Sequence, residues 1–135
     1  MDHIINEASL KNAQNILTRN NILIIKFTAD WCGPCKGIKP LCDEFVKIKP
    51  PTIMYHEIDI DESLELYMKF KRMKMLKGIP AIMAFYPKEI DPNLWYVPDD
   101  SVLEGDKNKV KAFFNRCLTY VNSQPDIQGF SNMVL

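Results

Sequence analysis

Two cysteines two residues apart, in Trp31-Cys32-Gly33-Pro34-Cys35, follow closely on the apolar run Ile22-Leu23-Ile24-Ile25-Lys26-Phe27. An apolar run of that length reads as a strand buried on both faces, the central strand of a parallel or mixed sheet. Gly33 and Pro34 suit a helix start: glycine carries no steric cost there, and proline fixes φ while giving up a donor that the first turn leaves unpaired. The pair therefore sits at a strand-to-helix junction. Backbone N–H groups at a helix N-terminus favour an anion, so Cys32 is expected to be partly thiolate at neutral pH. Thiolate is the species that attacks disulfides, and two sulfurs one turn apart can close a disulfide of their own. A CxxC pair can also be half of a zinc site, or two inert thiols. Zinc needs two further ligands, and the chain offers Cys42, Cys117, His3 and His56, none spaced as a second CxxC or an HxxxH. No metal site is expected.

The chain resembles the thioredoxin family. Trp31-Cys32-Gly33-Pro34-Cys35 matches that family's active site, with Lys36 after it and Pro40 where its helix is kinked. Lys77-Gly78-Ile79-Pro80-Ala81 resembles the loop that holds a cis-proline opposite the disulfide, and Ile58-Asp59-Ile60-Asp61 matches a strand-end run of many relatives. The resemblance covers about residues 3–121. It implies a thiol–disulfide oxidoreductase that reduces protein disulfides, cycling between dithiol and disulfide without metal or organic cofactor. A thioredoxin reductase or a small thiol would recharge it. Cys32 is expected to be the nucleophile and Cys35, one turn inside the helix, the resolving thiol. Trp31 is expected to flank the pair. Ile79 and Pro80 would present backbone to an extended substrate. Within the family a Gly-Pro dipeptide goes with reduction rather than oxidation. Two other readings stay open: a binding module or assembly factor serving a dedicated partner, and a net oxidant in a specialised pathway.

Departures from the family pattern carry information of their own. Many relatives place a buried aspartate six residues before the first cysteine, where this chain has Lys26; the lysine often found on the neighbouring strand falls at Glu57. Alternation puts Ile22, Ile24 and Lys26 on one strand face, and Tyr55, Glu57 and Asp59 on one face of the next. A lone buried lysine is costly, so an exchanged pair Lys26–Glu57 beneath the active site is expected. Thr28 replaces a common tryptophan, the glycine near the last strand's end is read as replaced around Leu103, and the proline-rich segment 87–98 is long. These departures imply an altered substrate surface. Cys42 and Cys117 read as small buried apolar residues.

The rest of the chain fits one domain. With 135 residues and 47% hydrophobic content it can bury a core. Seventeen basic residues balance seventeen acidic ones, which argues against nucleic-acid or anionic-membrane binding. No signal-peptide pattern opens the sequence and no apolar run reaches membrane-spanning length, so a monomer in the cytoplasm is expected. The abundance of Ile, Lys and Asn is compatible with an AT-rich genome; for a large DNA virus the setting would be host cytoplasm or virion. Periodicity predicts a short strand near Ile4-Ile5 and helices over 9–19, about 33–49, 62–75 and from a cap at Asp106 to about 121. Strands are predicted over 22–27, 52–60, 81–86 and within 95–104. From Ile22 the order is βαβαββα: an α/β fold with a mixed central sheet flanked by helices on both faces. The domain is expected to span 1–122, with a loosely packed tail over 123–135.

Overall fold

Strand β1, Ile22–Thr28, is buried along nearly its whole length because it lies between two others in a four-stranded sheet of order β2-β1-β3-β4. The computed structural model describes residues 3–123, and the expected tail lies outside them from residue 124. β2 (Ile53–Asp59) runs parallel to β1, with Lys26 opposite Glu57. β3 (Ala81–Phe85) and β4 (Asp100–Val102) continue the sheet antiparallel on the other side.

Alternation along β1 sorts two cores. Leu23, Ile25 and Phe27 face α1 (Glu7–Asn15) and α3 (Leu64–Arg72), meeting Leu10, Leu66, Tyr67 and Phe70. Ile22 and Ile24 face α2 (Gly33–Ile48) and α4 (Lys107–Ser123), where Ile38, Cys42, Phe45, Val110 and Phe113 close over them. Helices thus cover both faces, and the mixed α/β sheet expected from the sequence is present. Phe45 stacks on Phe114 at 4.0 Å between ring centres, tying α2 to α4. Asp106 caps α4 as expected, its carboxylate accepting from the Asn108 and Lys109 N–H groups at 2.9 and 3.1 Å.

Several boundaries differ from expectation: α1 ends at Asn15 rather than 19, and α3 at Arg72 rather than 75. Residues 3–5 form no strand: the Ile5 N–H is donated to Ser9 Oγ at 3.0 Å, within a capping box that Asn6 and Ser9 build around the start of α1. That box also starts the helix two residues earlier than the apolar spacing did. Ile4 is nonetheless buried. Helix α3 starts late because Asp59 holds a turn. Its carbonyl accepts from the Glu62 and Ser63 N–H groups, and its carboxylate from the Asp61 N–H.

The end of α3 has a specific cause. The Met75 N–H reaches the Phe70 carbonyl at 2.9 Å and the Lys74 N–H reaches Lys71 at 3.1 Å, with Lys74 between them at φ 62°. That left-handed position usually falls to glycine, and a lysine there carries a steric cost. Lys74→Gly should therefore raise stability by about 0.5–1 kcal/mol, read as a higher urea midpoint at unchanged slope.

The 87–98 segment connects β3 to β4. It leaves from the end of β3 opposite Pro80, and β4 returns from it toward residue 105. Trp95 is buried against Phe70, ring edge to face at 5.8 Å, and its carbonyl accepts from Gln14 Nε2 at 2.8 Å. The segment thus contributes to the α1–α3 core.

Candidate active site

The strand-to-helix junction is built as its sequence implies. The chain leaves β1, turns at Ala29, whose carbonyl accepts from the Cys32 N–H at 3.2 Å, and enters α2 with Cys32 as the capping residue. Cys32 Sγ accepts from the Cys35 N–H at 3.2 Å. Cys32 and Cys35 are joined by a disulfide, with Cα atoms 5.3 Å apart. Both are buried, Cys32 at 5% and Cys35 at 3% exposure, so the excess exposure of the outer cysteine is slight. Gly33 has a non-positive φ and open space where a side chain would go, so conformational freedom is not what requires a glycine there. Pro34 fills the first turn of the helix.

Two other segments meet this turn. The Ile79–Pro80 peptide bond is cis, and the Ile79 carbonyl oxygen lies 3.9 Å from Cys32 Sγ. Gly105, just past β4, closes the group: a Cβ there would stand 3.3 Å from Pro34 Cβ, 3.4 Å from Pro34 O and 3.7 Å from Pro80 Cγ. The glycine read as replaced around Leu103 is therefore present two residues later. The signal was available in the sequence as the single glycine between β4 and the Asp106 cap. Gly105→Val should cost about 1–3 kcal/mol by overpacking and slow disulfide exchange several-fold. Urea unfolding and insulin turbidity would measure the two effects.

Trp31 is 65% exposed beside the pair, its Nε1 donating to Asp61 Oδ2 at 2.9 Å. That bond links the Ile58–Asp61 run to the site. Beneath the pair, Lys26 is 1% exposed, and its Nζ lies 3.4 Å from Glu57 Oε1. The sequence-derived pairing is present, but it is not a buried pair: the Glu57 side chain is 45% exposed. Lys26 and Cys35 both line a cavity of about 210 Å³. Cys42 and Cys117 are free, fully buried thiols. Burial pushes the Cys117 thiol up to about 12. It raises that of Cys42 as well, with Lys26 opposing the rise. Among the described residues no three His, Cys, Asp or Glu side chains gather as a metal site would need, and no helix is long and apolar enough to cross a membrane.

Comparison with known proteins agrees with this geometry. The family model described as Thioredoxin matches residues 4–95. The chain belongs to the thioredoxin family. The thioredoxin of Mycoplasmoides gallisepticum is 28% identical over 105 residues, 77% of this chain and 97% of that protein. The Pseudomonas aeruginosa thioredoxin is 30% identical over 84 residues, 62% and 74% of the two chains. In fold, Fasciola hepatica thioredoxin superposes with a TM-score of 0.65 at 20% identity, covering 86% of this chain and 98% of that one. Plasmodium falciparum thioredoxin gives 0.59 at 22% identity with the same coverage. Thioredoxin-family membership together with the Cys32–Cys35 pair implies thiol–disulfide oxidoreductase chemistry. The family acts on disulfide substrates and is itself recharged by reductase partners.

Proposed function

We propose that this chain reduces protein disulfides through a Cys32–Cys35 dithiol/disulfide cycle. The observation that carries the reading is the Cys35 N–H aimed at Cys32 Sγ at 3.2 Å from the first turn of α2. A donor in that place favours a thiolate on Cys32. In the first step the Cys32 thiolate attacks one sulfur of a substrate disulfide. A Cys32–substrate bond forms, the substrate S–S bond breaks, and the other substrate sulfur leaves as thiolate and takes up a proton. In the second step Cys35 loses its proton and attacks Cys32 Sγ. The Cys32–Cys35 bond forms, the Cys32–substrate bond breaks, and the second substrate sulfur leaves as thiolate and takes up a proton. Two electrons pass from the dithiol to the substrate. Trp31, the Ile79 carbonyl, Pro80 and Gly105 are the surface we assign to the substrate backbone. The dithiol is restored by a thioredoxin reductase or a small thiol, and the protein acts as a monomer in the cytoplasm.

Insulin reduction in the presence of dithiothreitol tests the reading. The wild-type chain should speed precipitation of the insulin B chain, and Cys32→Ser should not. Equal, slow precipitation with both proteins would overturn it.

A further inference from the structure

The least expected charge in the molecule is a lysine ammonium held out of water below the disulfide. Lys26 lies on the β1 face that meets α2, between Glu57 on β2 and Ile82 on β3. The cavity it shares with Cys35 is also lined by Asp30, Lys36, Lys39 and Glu57. Of these, Lys39 is bound to Asp43 at 2.8 Å and is exposed, as are Asp30 and Lys36. Glu57 is the one anion within ion-pair distance of Lys26, at 3.4 Å with its side chain 45% open to solvent, and from α2 the Cys42 thiol, pushed up by burial, also faces the ammonium. Water therefore screens much of the carboxylate's field, whereas Lys26 and Cys35 are both buried, and charges at buried sites interact more strongly.

We propose that Lys26 is a positioning residue for charge: a buried cation that stabilises the dithiol state of the Cys32–Cys35 pair and makes the chain a weaker reductant. The proposal rests on the dithiol cycle above. The disulfide is neutral and gives Lys26 nothing to balance. Opening it creates sulfur that can ionise above the ammonium, so the cation favours the reduced state. A stabilised dithiol means a less negative potential.

The exchange to measure is balanced: protein disulfide plus two glutathione thiols gives protein dithiol plus glutathione disulfide. Lys26→Met keeps the chain length and removes the charge, leaving Glu57 to solvent. It should move the equilibrium constant about tenfold toward the protein disulfide, equivalent to about 30 mV for a two-electron couple. Its constant should also begin to rise with pH at a higher pH than that of the wild type. Glu57→Gln, a substitution at an exposed position, removes the opposing anion and should move the constant the other way, toward the dithiol. These opposite signs are not what a general loosening of the fold would produce. An unmoved constant in a folded Lys26→Met, or a Glu57→Gln constant that stays put or falls with it, overturns the proposal. Should Lys26→Met not fold, the sign from Glu57→Gln decides alone. A wild-type protein that does not exchange with glutathione at all overturns the dithiol cycle and this proposal together.

Discussion

Cys35→Ser should trap a mixed disulfide between Cys32 and a substrate, while Cys32→Ser should form no adduct and lose turnover by about 10³-fold or more. The asymmetry follows from position. Cys32 caps the helix and meets the Ile79 carbonyl at the loop that carries Pro80. Cys35 lies one turn further in, lining the cavity with Lys26. In this assignment Cys32, which meets the Ile79 carbonyl, takes the substrate sulfur, and Cys35 releases it. Mass spectrometry after alkylation should find Cys42 and Cys117 labelled in unfolded, oxidised protein and Cys32 and Cys35 still bridged. Their burial, which also holds both thiols up, should keep the first two unlabelled in native protein. A bridge to Cys42 or Cys117 in the active form, or an adduct on the Cys32→Ser variant, would refute the assignment.

The largest loss of stability is expected in the core under α1 and α3. Phe70 is fully buried; its ring lies 5.2 Å from that of Phe27 on β1 and 5.8 Å from Trp95. Phe70→Ala removes the partner of both at once. The cost should be about 3–5 kcal/mol, a large fraction of what a domain this size possesses. Urea unfolding should show a lower midpoint. Phe70 lies on the opposite sheet face from Lys26, and exchange by the folded fraction should persist at low temperature. A loss below about 1 kcal/mol would mean that Trp95 and its segment collapse into the gap.

What could be read from residues alone was whatever depended on local pattern. The unbroken apolar run of β1, the Ile38–Cys42–Phe45 stripe of α2 and the Asp106 cap each state their conformation within a few residues. The Lys26–Glu57 contact was also legible, since strand alternation places the two residues on one face and the parallel register aligns them. The exposure of Glu57 was not. It depends on whether a further strand covers β2, and residues 3–5 form none, the Ile5 N–H going to Ser9 Oγ instead. With residues 3–5 unpaired, β2 is left at the sheet edge and Glu57 at its rim. Gly105 was misplaced for a similar reason. Its role is fixed by where the β3–β4 hairpin returns beside Pro34 and Pro80, and that distance is spatial.

The hairpin has one more consequence. Strand β3 carries the cis-proline at one end and hands the chain to the 87–98 segment at the other, five residues away, or about 17 Å of strand. Near its tip, residues 91–94 are exposed and turned back by the Leu94 N–H on the Asp91 carbonyl. Length and composition there are free to drift while the chemistry at the opposite end keeps its geometry. The same separation makes 91–94 a graft point, where a reporter or a targeting domain could be spliced in and carried by a working redox centre.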